Sequence, residues 1–371
     1  FLLLAGDVYN QEDASVSAQL ALRDGFRRLE SLSIPVFLVH GNHDPLASRL
    51  RSVRWPGNVT VFGELPDAVP VFRKGEGTPL AIIHGASHAS GRETRNLAAL
   101  FRRTEACGLH VGLLHATPGD ADGVARYAPF SQGDLKASGM DYWALGHIHD
   151  RREVCREPLA AYPGCTQGLH INEPGEKGCL LVTAEARPDG GYAVRTSFRP
   201  LGPAVWKTLD MDLGGAASLD ELENRLRTGL DRAAAEVWSG CEMLLVRLRL
   251  QGRTELDGLL RKGTTCAELA DRLREDGSGV PRIWIKDIDV ATRPCVERGA
   301  LLEREDLLGE VFRLSEAART ASGLQALREG PLAPLFAHAR AGKALEPLTD
   351  EELARLLDDA ESLCLDLLEN D

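Results

Sequence analysis

The chain has 371 residues, 43% of them hydrophobic, and a formal net charge of −12, enough for two or three domains and a sizeable core. Residues 1–200 hold 21 basic and 22 acidic residues, a balance of −1, so residues 201–371 carry −11 and are excluded on charge grounds as a nucleic-acid surface. No run approaches the roughly 18 apolar residues of a membrane span, so no transmembrane helix and no membrane partner are expected, and eight scattered cysteines without a close pair argue for reduced thiols in a cytoplasm rather than a disulfide framework.

In chain order, "FLLLAGD" (1–7) reads as a buried strand ending in Gly6-Asp7. Residues 14–32 show helical periodicity, with Val16, Leu20, Phe26 and Leu29 as the apolar face. "IPVFLVHGNHD" (34–44), "PLAIIHG" (79–85), "HVGLLHA" (110–116) and "DYWALGHIH" (141–149) repeat the first pattern: short, apolar, and ending in Gly, Asn, Asp or His. This rhythm predicts an α/β fold whose sheet is flanked by helices. The polar residues collect at the strand ends, the edge where open α/β sheets bind ligands. Two basic clusters, "RLRSVR" (49–54) and "RREVCR" (151–156), suit either a phosphate backbone or a solvated surface.

Past residue 185 the texture changes. "RPDGG" (187–191) predicts a hairpin turn, and "WKTLDMDL" (206–213), "EMLLVRLRL" (242–250) and "RIWIKDIDV" (282–290) predict strands. Ser218–Glu221 is a capping-box start for a helix to about Val237, and Thr265–Glu268 opens another. From about residue 300 the chain reads as helical. Thr349–Glu352 is a further capping box, with Leu348 and Leu353 as its hydrophobic staple. Leu353, Leu356, Leu357, Leu363, Leu367 and Leu368 form a stripe suited to a core or a partner-helix face. The expected division is 1–200, a smaller α/β domain at 201–298, and a helical segment at 299–371.

The chemistry gathers at four strand ends: Gly6-Asp7, Gly41-Asn42-His43-Asp44, His115, and Gly146-His147-Ile148-His149. A carboxylate, an amide oxygen and several imidazoles make a mixed N/O donor set that suits Mn²⁺, Fe²⁺ or Zn²⁺. An aspartate can bridge two cations about 3.5–4 Å apart. Glycines before Asp7, Asn42 and His147 let the backbone turn sharply beyond each strand.

These pieces resemble the calcineurin-like metallophosphoesterase superfamily, whose ordered motifs are D-x-H, G-D-x-x-[D/N/H], G-N-H-[D/E], a lone His and G-H-x-H; four of the five are present. "YPGCTQGLHINEPGEKGCLLV" (162–182) is similar to the segment after G-H-x-H in the bacterial SbcD and YhaO-type DNA repair exonucleases. The resemblance implies a sheet sandwich flanked by helices (1–200), an α/β cap domain (201–298) and a helical C-terminus (299–371). It implies two divalent metals, Mn or else Fe or Zn. Asp7 would bridge them, His149 would complete the first, and Asn42, His115 and His147 would hold the second. His43 would stabilise the transition state or protonate the leaving 3′ oxygen. Asn10 would orient His43, Asp44 would support the turn, and His84 is a candidate lining residue of the cleft.

The implied activity is two-metal hydrolysis of phosphodiesters by a DNA exo- or endonuclease in DNA repair, the nuclease subunit of an SbcCD-like complex. Its partners would be DNA, an SbcC-like SMC-type ATPase, and a second copy of the chain. The alternatives are a phosphodiesterase or phosphatase on small substrates, or an inactive structural subunit of such an ATPase complex. The D-x-H motif is expected upstream of Phe1, and without it the first metal site, left with Asp7 and His149, is expected to be weak.

Overall fold

The computed structural model describes residues 1–9, 15–48, 53–73, 75–120, 125–188, 190–275, 279–295, 298–338 and 348–368. The chain divides into two compact units: Phe1–Lys207 with Ala234–Leu245 and Ser278–Trp284, and Thr208–Ala233 with Val246–Gly277 and Ile285–Asp371.

In the first unit, β1 (Leu2–Ala5), α1 (Val16–Ser31), β2 (Val36–Val39) and β3 (Val59–Val61) form a parallel sheet of order β1-β2-β3 with its crossover helix. Successive side chains of a strand face opposite ways, and both faces here are covered. Leu2, Leu4, Val36 and Leu38 pack with Phe26, Leu22 and Leu29 of α1. Leu3, Ala5, Phe37 and Val39 turn the other way, into a cluster shared with the second sheet. That is why these strands read as unbroken apolar runs rather than as alternating ones. Helix α1 starts at Ser15, whose Oγ accepts the Ala18 N–H at 3.1 Å. Its buried stripe runs through Gln19, Leu22, Phe26 and Leu29. Val16 and Leu20, expected on that stripe, are exposed; Leu20 lies one residue, about 100°, off it, and Val16 stands in the first turn.

The second sheet contains β4 (Asp67–Phe72), β5 (Pro79–Ala86), β6 (Leu109–His115), β7 (Tyr142–Gly146), β8 (Arg152–Arg156) and β9 (Leu159–Tyr162) in the order β4-β5-β6-β7-β9-β8. The inner four strands are parallel, and β4 and β8 close the edges antiparallel. Ile83, Val111, Leu113, Tyr142 and Ala144 meet the first sheet. Leu114, Trp143 and Leu145 pack on the opposite face with Phe101, Leu135 and Met140. Gly112 is required there, because a Cβ would stand 2.5 Å from the Trp143 indole. The hairpin expected around residues 187–191 joins β10 (Gly178–Ala186) to β11 (Tyr192–Pro200), whose Val182 and Val194 cover the inter-sheet cluster. The result is the expected sandwich of sheets flanked by helices, with β1, β2, β6 and β7 all ending in motif residues.

A further sheet is formed by β12 (Ala204–Asp212), β13 (Met243–Thr254) and β14 (Arg282–Pro294), with β13 central; from Thr208, Val246 and Ile285 onward these strands belong to the second unit. Leu244, Val246, Leu248 and Leu250 of β13 are buried, while Arg247 and Arg249 between them pair with Asp287 and Asp289. The helix Leu219–Ala235 buries Leu222, Leu226, Leu230 and Ala233. Its cap differs by one residue from expectation: Ser218 Oγ accepts the Glu221 N–H at 3.2 Å, but Glu221 reaches back to Ala217 N–H. The helix Thr265–Glu275 opens where expected, its first turn closing on the Thr264 carbonyl. The last helix, Asp350–Leu368, opens on a reciprocal Thr349–Glu352 box. It buries Leu353 and Leu365 and leaves Leu356, Leu363, Leu367 and Leu368 exposed. Among the described residues no helix is long and apolar enough to cross a membrane.

His84, expected at the cleft, lies inside the second sheet, only 3% exposed. Its Nε2 is 2.9 Å from His110 Nδ1, and His110 Nε2 is 2.9 Å from the Ala106 carbonyl. The carbonyl can only accept, so His110 carries its proton on Nε2 and accepts the His84 N–H at Nδ1. Burial, and then the neighbouring His110, bring the His84 pKa down from 6.5 to about 4. Between these values the unfolded chain binds more protons than the folded one. The contribution is therefore fully present above pH ~6.5 and is lost as the pH falls toward ~4. His84→Gln keeps a donor for His110 but cannot titrate. Denaturant unfolding of the wild type should lose about 1–2 kcal/mol more than the variant between pH 7 and pH 5; equal losses would refute the assignment.

Candidate metal centre

The carboxyl ends of β1, β2, β6 and β7 bring Asp7, Asn42, His115 and His147 together. The chain enters this region in an unusual conformation: Gly6, Asp7 and His147 have φ of +84°, +48° and +107°. Such values are uncommon for residues with side chains and mark local strain at functional positions. Close approach explains the glycines. A Cβ on Gly6 would stand 2.6 Å from His115 Nδ1, one on Gly41 would stand 2.2 Å from Asp7 Oδ1, and one on Gly146 would overlap the Ala5 carbonyl oxygen at 1.7 Å.

Asp44 holds two of these loops. It is 1% exposed and accepts three backbone N–H groups: Asp7 at 3.2 Å, Val8 at 3.0 Å and Gly41 at 2.8 Å. His40 Nδ1 stands 3.6 Å from Oδ2, the oxygen that accepts the Val8 N–H. Asp7 Oδ1 in turn accepts the His43 N–H at 2.9 Å, while the His43 side chain remains in solvent. Asp7 Oδ2 faces His115 Nε2 at 3.2 Å, and Asn42 Oδ1 faces the same nitrogen at 3.0 Å.

The imidazoles are oriented by carbonyls. His115 Nδ1 is 2.8 Å from the Ala5 carbonyl, and His147 Nε2 is 3.1 Å from the Ala125 carbonyl. Each of these nitrogens must be the N–H donor, which leaves His115 Nε2 and His147 Nδ1 with lone pairs. His115 Nε2 therefore shares its space with two oxygens that also accept. A neutral cluster leaves those lone pairs facing one another, and a cation satisfies all of them. Burial, then the neighbouring His115, push the His147 pKa down to about 4, so this ring is neutral near pH 7, as a metal ligand must be. Burial works against the charge on Asp7, but a proton on His115 Nε2, standing where a metal would, and the His43 N–H hold its pKa below the usual carboxylate value. Asp7, His115 and His147 each offer a ligand atom within 4.8 Å of the others. The donor set thus fits a divalent cation.

His149 is placed in a neighbouring group. Its Nδ1 is 2.5 Å from Glu173 Oε1, and one donor atom each of His149, Cys165 and Glu173 lies within 4.8 Å of the other two. Asn10 lies outside the described residues, as does most of the basic cluster at 49–54. His84 is apart from the cluster, as described above. Sequence reasoning missed three neighbours. His88 is fully buried, with Nε2 2.7 Å from the His115 carbonyl and no partner for Nδ1 among the described residues. Burial, then His115, lower its pKa to about 4. Tyr127 packs its ring 5.3 Å from that of His147. Thr117 Oγ1 donates to the Ala125 carbonyl at 3.2 Å and accepts the Tyr127 N–H at 3.0 Å. Only the "GASH" run around His88 offered a signal, and its position between motifs matched no expected ligand.

Asp44→Ala would leave three N–H groups without their acceptor. Chemical denaturation should show a loss of about 3 kcal/mol or more, accompanied by weaker Mn²⁺ binding in calorimetry. A variant as stable as the wild type would show that the loops do not depend on this carboxylate.

Comparison with known proteins agrees with this geometry. Residues 1–151 match the calcineurin-like phosphoesterase family and residues 206–293 the middle domain of metallophosphoesterase YhaO. The chain is 33% identical over 337 residues to the uncharacterized metallophosphoesterase YhaO of Bacillus subtilis, covering 90% of this chain and 79% of that protein. It is 24% identical over 336 residues to the DNA double-strand break repair protein Mre11 of Haloferax volcanii, covering 85% and 68%. With four strand ends converging on one donor cluster and a YhaO-type middle domain following, the chain belongs to the calcineurin-like metallophosphoesterases of the YhaO family.

Proposed function

We propose that the chain is a metal-dependent nuclease that hydrolyses DNA phosphodiesters in repair, with Mn²⁺ as its metal and Fe²⁺ or Zn²⁺ as the other candidates. One observation carries this reading: His115 Nε2, Asp7 Oδ2 and Asn42 Oδ1 converge at 3.0–3.2 Å beside an exposed His43 whose backbone is tied to the same aspartate. DNA as the substrate is supported by the similarity to the Haloferax volcanii repair protein.

In this reading Asn42, His115 and His147 hold one cation, His149 serves a second, and Asp7 serves both. Bound divalent cations would supply Lewis acidity, lowering the pKa of water and offsetting phosphate charge. His43 cannot drift from the site, because its N–H bond fixes its backbone to Asp7. Its ring is free to meet the scissile phosphate and to give a proton to the leaving 3′ oxygen or stabilise charge on phosphorus. Asn10 is assigned to orienting that ring. The exposed Leu356, Leu363 and Leu367 are assigned to a protein partner, an SMC-type ATPase or a second copy of the chain.

With Mn²⁺ the protein is expected to degrade linear duplex DNA, and Asp7→Ala or His43→Ala should each slow it about 100-fold or more. Rates untouched by both substitutions would remove the catalytic assignment. Hydrolysis of bis-p-nitrophenyl phosphate without DNA cleavage would instead indicate small substrates, and hydrolysis of neither an inactive structural subunit.

A further inference from the structure

The segment 162–178 follows the G-H-x-H turn and runs beside Ala116 and the His149 turn. Tyr162 Oη donates to the Ala116 carbonyl at 2.7 Å, next to His115. Gly164, at φ +79°, passes so close beneath the His149 turn that a Cβ would stand 2.7 Å from the His149 carbonyl oxygen. Cys165 N–H donates to that same oxygen at 3.3 Å. Lys177, mostly buried, reaches Asp150 at 3.5 Å. At the centre sits Glu173, 8% exposed.

Glu173 has its two oxygens assigned to different tasks. Oε2 accepts the Leu169 N–H at 2.8 Å, which fixes the carboxylate plane. Oε1 then meets His149 Nδ1 at 2.5 Å. We propose that Glu173 is a positioning residue for metal binding: its carboxylate locks the exposed His149 ring in one orientation with the proton on Nδ1, and so presents the Nε2 lone pair to a divalent cation. His149 is half in solvent, where an imidazole otherwise turns freely and carries its proton preferentially on Nε2, the wrong nitrogen for this task. His115 and His147 are set by backbone carbonyls. A carboxylate at the far nitrogen does more than a carbonyl, since it also makes the ring a stronger donor to a metal. Glu173, Gly164 and Lys177 thus build one bed under His149 and its neighbour Asp150.

The proposal rests on His149 being a metal ligand, and its test separates the two claims. Protein with ¹⁵N-labelled histidine is followed by long-range ¹H–¹⁵N NMR, first without metal and then titrated with Zn²⁺ alone, a diamagnetic cation that is read through the ¹⁵N shift of each nitrogen it binds. Wild-type His149 should appear as the Nδ1–H tautomer. Glu173→Gln, which cannot accept from both Leu169 and His149, should shift it toward Nε2–H. The Zn²⁺ concentration that shifts His149 Nε2 should then rise about 10-fold or more, while those for His115 and His147 stay unchanged. Wild-type His149 as Nε2–H, or a Zn²⁺ shift indifferent to residue 173, overturns the proposal alone. Absence of a Zn²⁺ shift at all three histidines overturns the metal reading and the proposal with it. If Glu173→Gln does not fold, the wild-type tautomer decides.

Discussion

The donor cluster depends on the buried carboxylate of Asp44. Strands β1 and β2 are parallel neighbours, so they end side by side and their loops leave in the same direction. Each loop turns too sharply for its first N–H groups to continue the ladder. Asp44 takes three of them, from residues 36–37 positions away and from its own loop. Unpaired, those groups would each cost on the order of 1–3 kcal/mol. The same bonds leave Asp7 facing His115. One carboxylate therefore satisfies the backbone so that another can be spent on chemistry.

Steric exclusion finishes what Asp44 begins. The Ala5 carbonyl lies against Gly146 and accepts from His115 Nδ1, so the end of β1 is wedged onto β6 and β7 of the other sheet. Only glycine permits that approach. The strained backbone of Asp7 and His147 is held by the surrounding bonds rather than by local preference. His115 and His147 are turned by backbone carbonyls at one nitrogen, which commits the other nitrogen to the cluster.

The second unit obeys a different economy of charge. Its arginines face carboxylates: Arg247 pairs with Asp287, Arg249 with Asp289, Arg298 with Glu316 and Glu361, and Arg319 with Asp358 and Glu361. The surface pairs of Arg247 and Arg249 stabilise little, about 0–1 kcal/mol each, whereas Glu361, shared by Arg298 and Arg319, is buried. Their consequence is that these cations are already engaged, in a region whose charge was −11 from the outset.

Much was legible in the sequence. Apolar runs buried on both faces announced β1, β2, β5, β6 and β7, and the order of Gly, Asp, Asn and His at their ends announced the family. Those signals are local, since each strand carries its own pattern and each motif stands next to its strand. What the sequence could not show was contact. Helix α1 buries Gln19 and Leu22 rather than Val16 and Leu20 because its stripe is chosen by the sheet beneath it. His84 reads like a strand-end histidine, yet it pairs with His110 because two strands bring them side by side. His88 and Glu173 join the centre across 27 and 24 positions of chain, and Thr117 holds Ala125 and Tyr127 across 8 and 10, through bonds that no spacing rule encodes. Sequence by itself determined which groups could bind metal and on which strand ends they sit. Only tertiary structure decided which nitrogen of each histidine faces the cluster, because that choice belongs to the oxygen on the ring's other side.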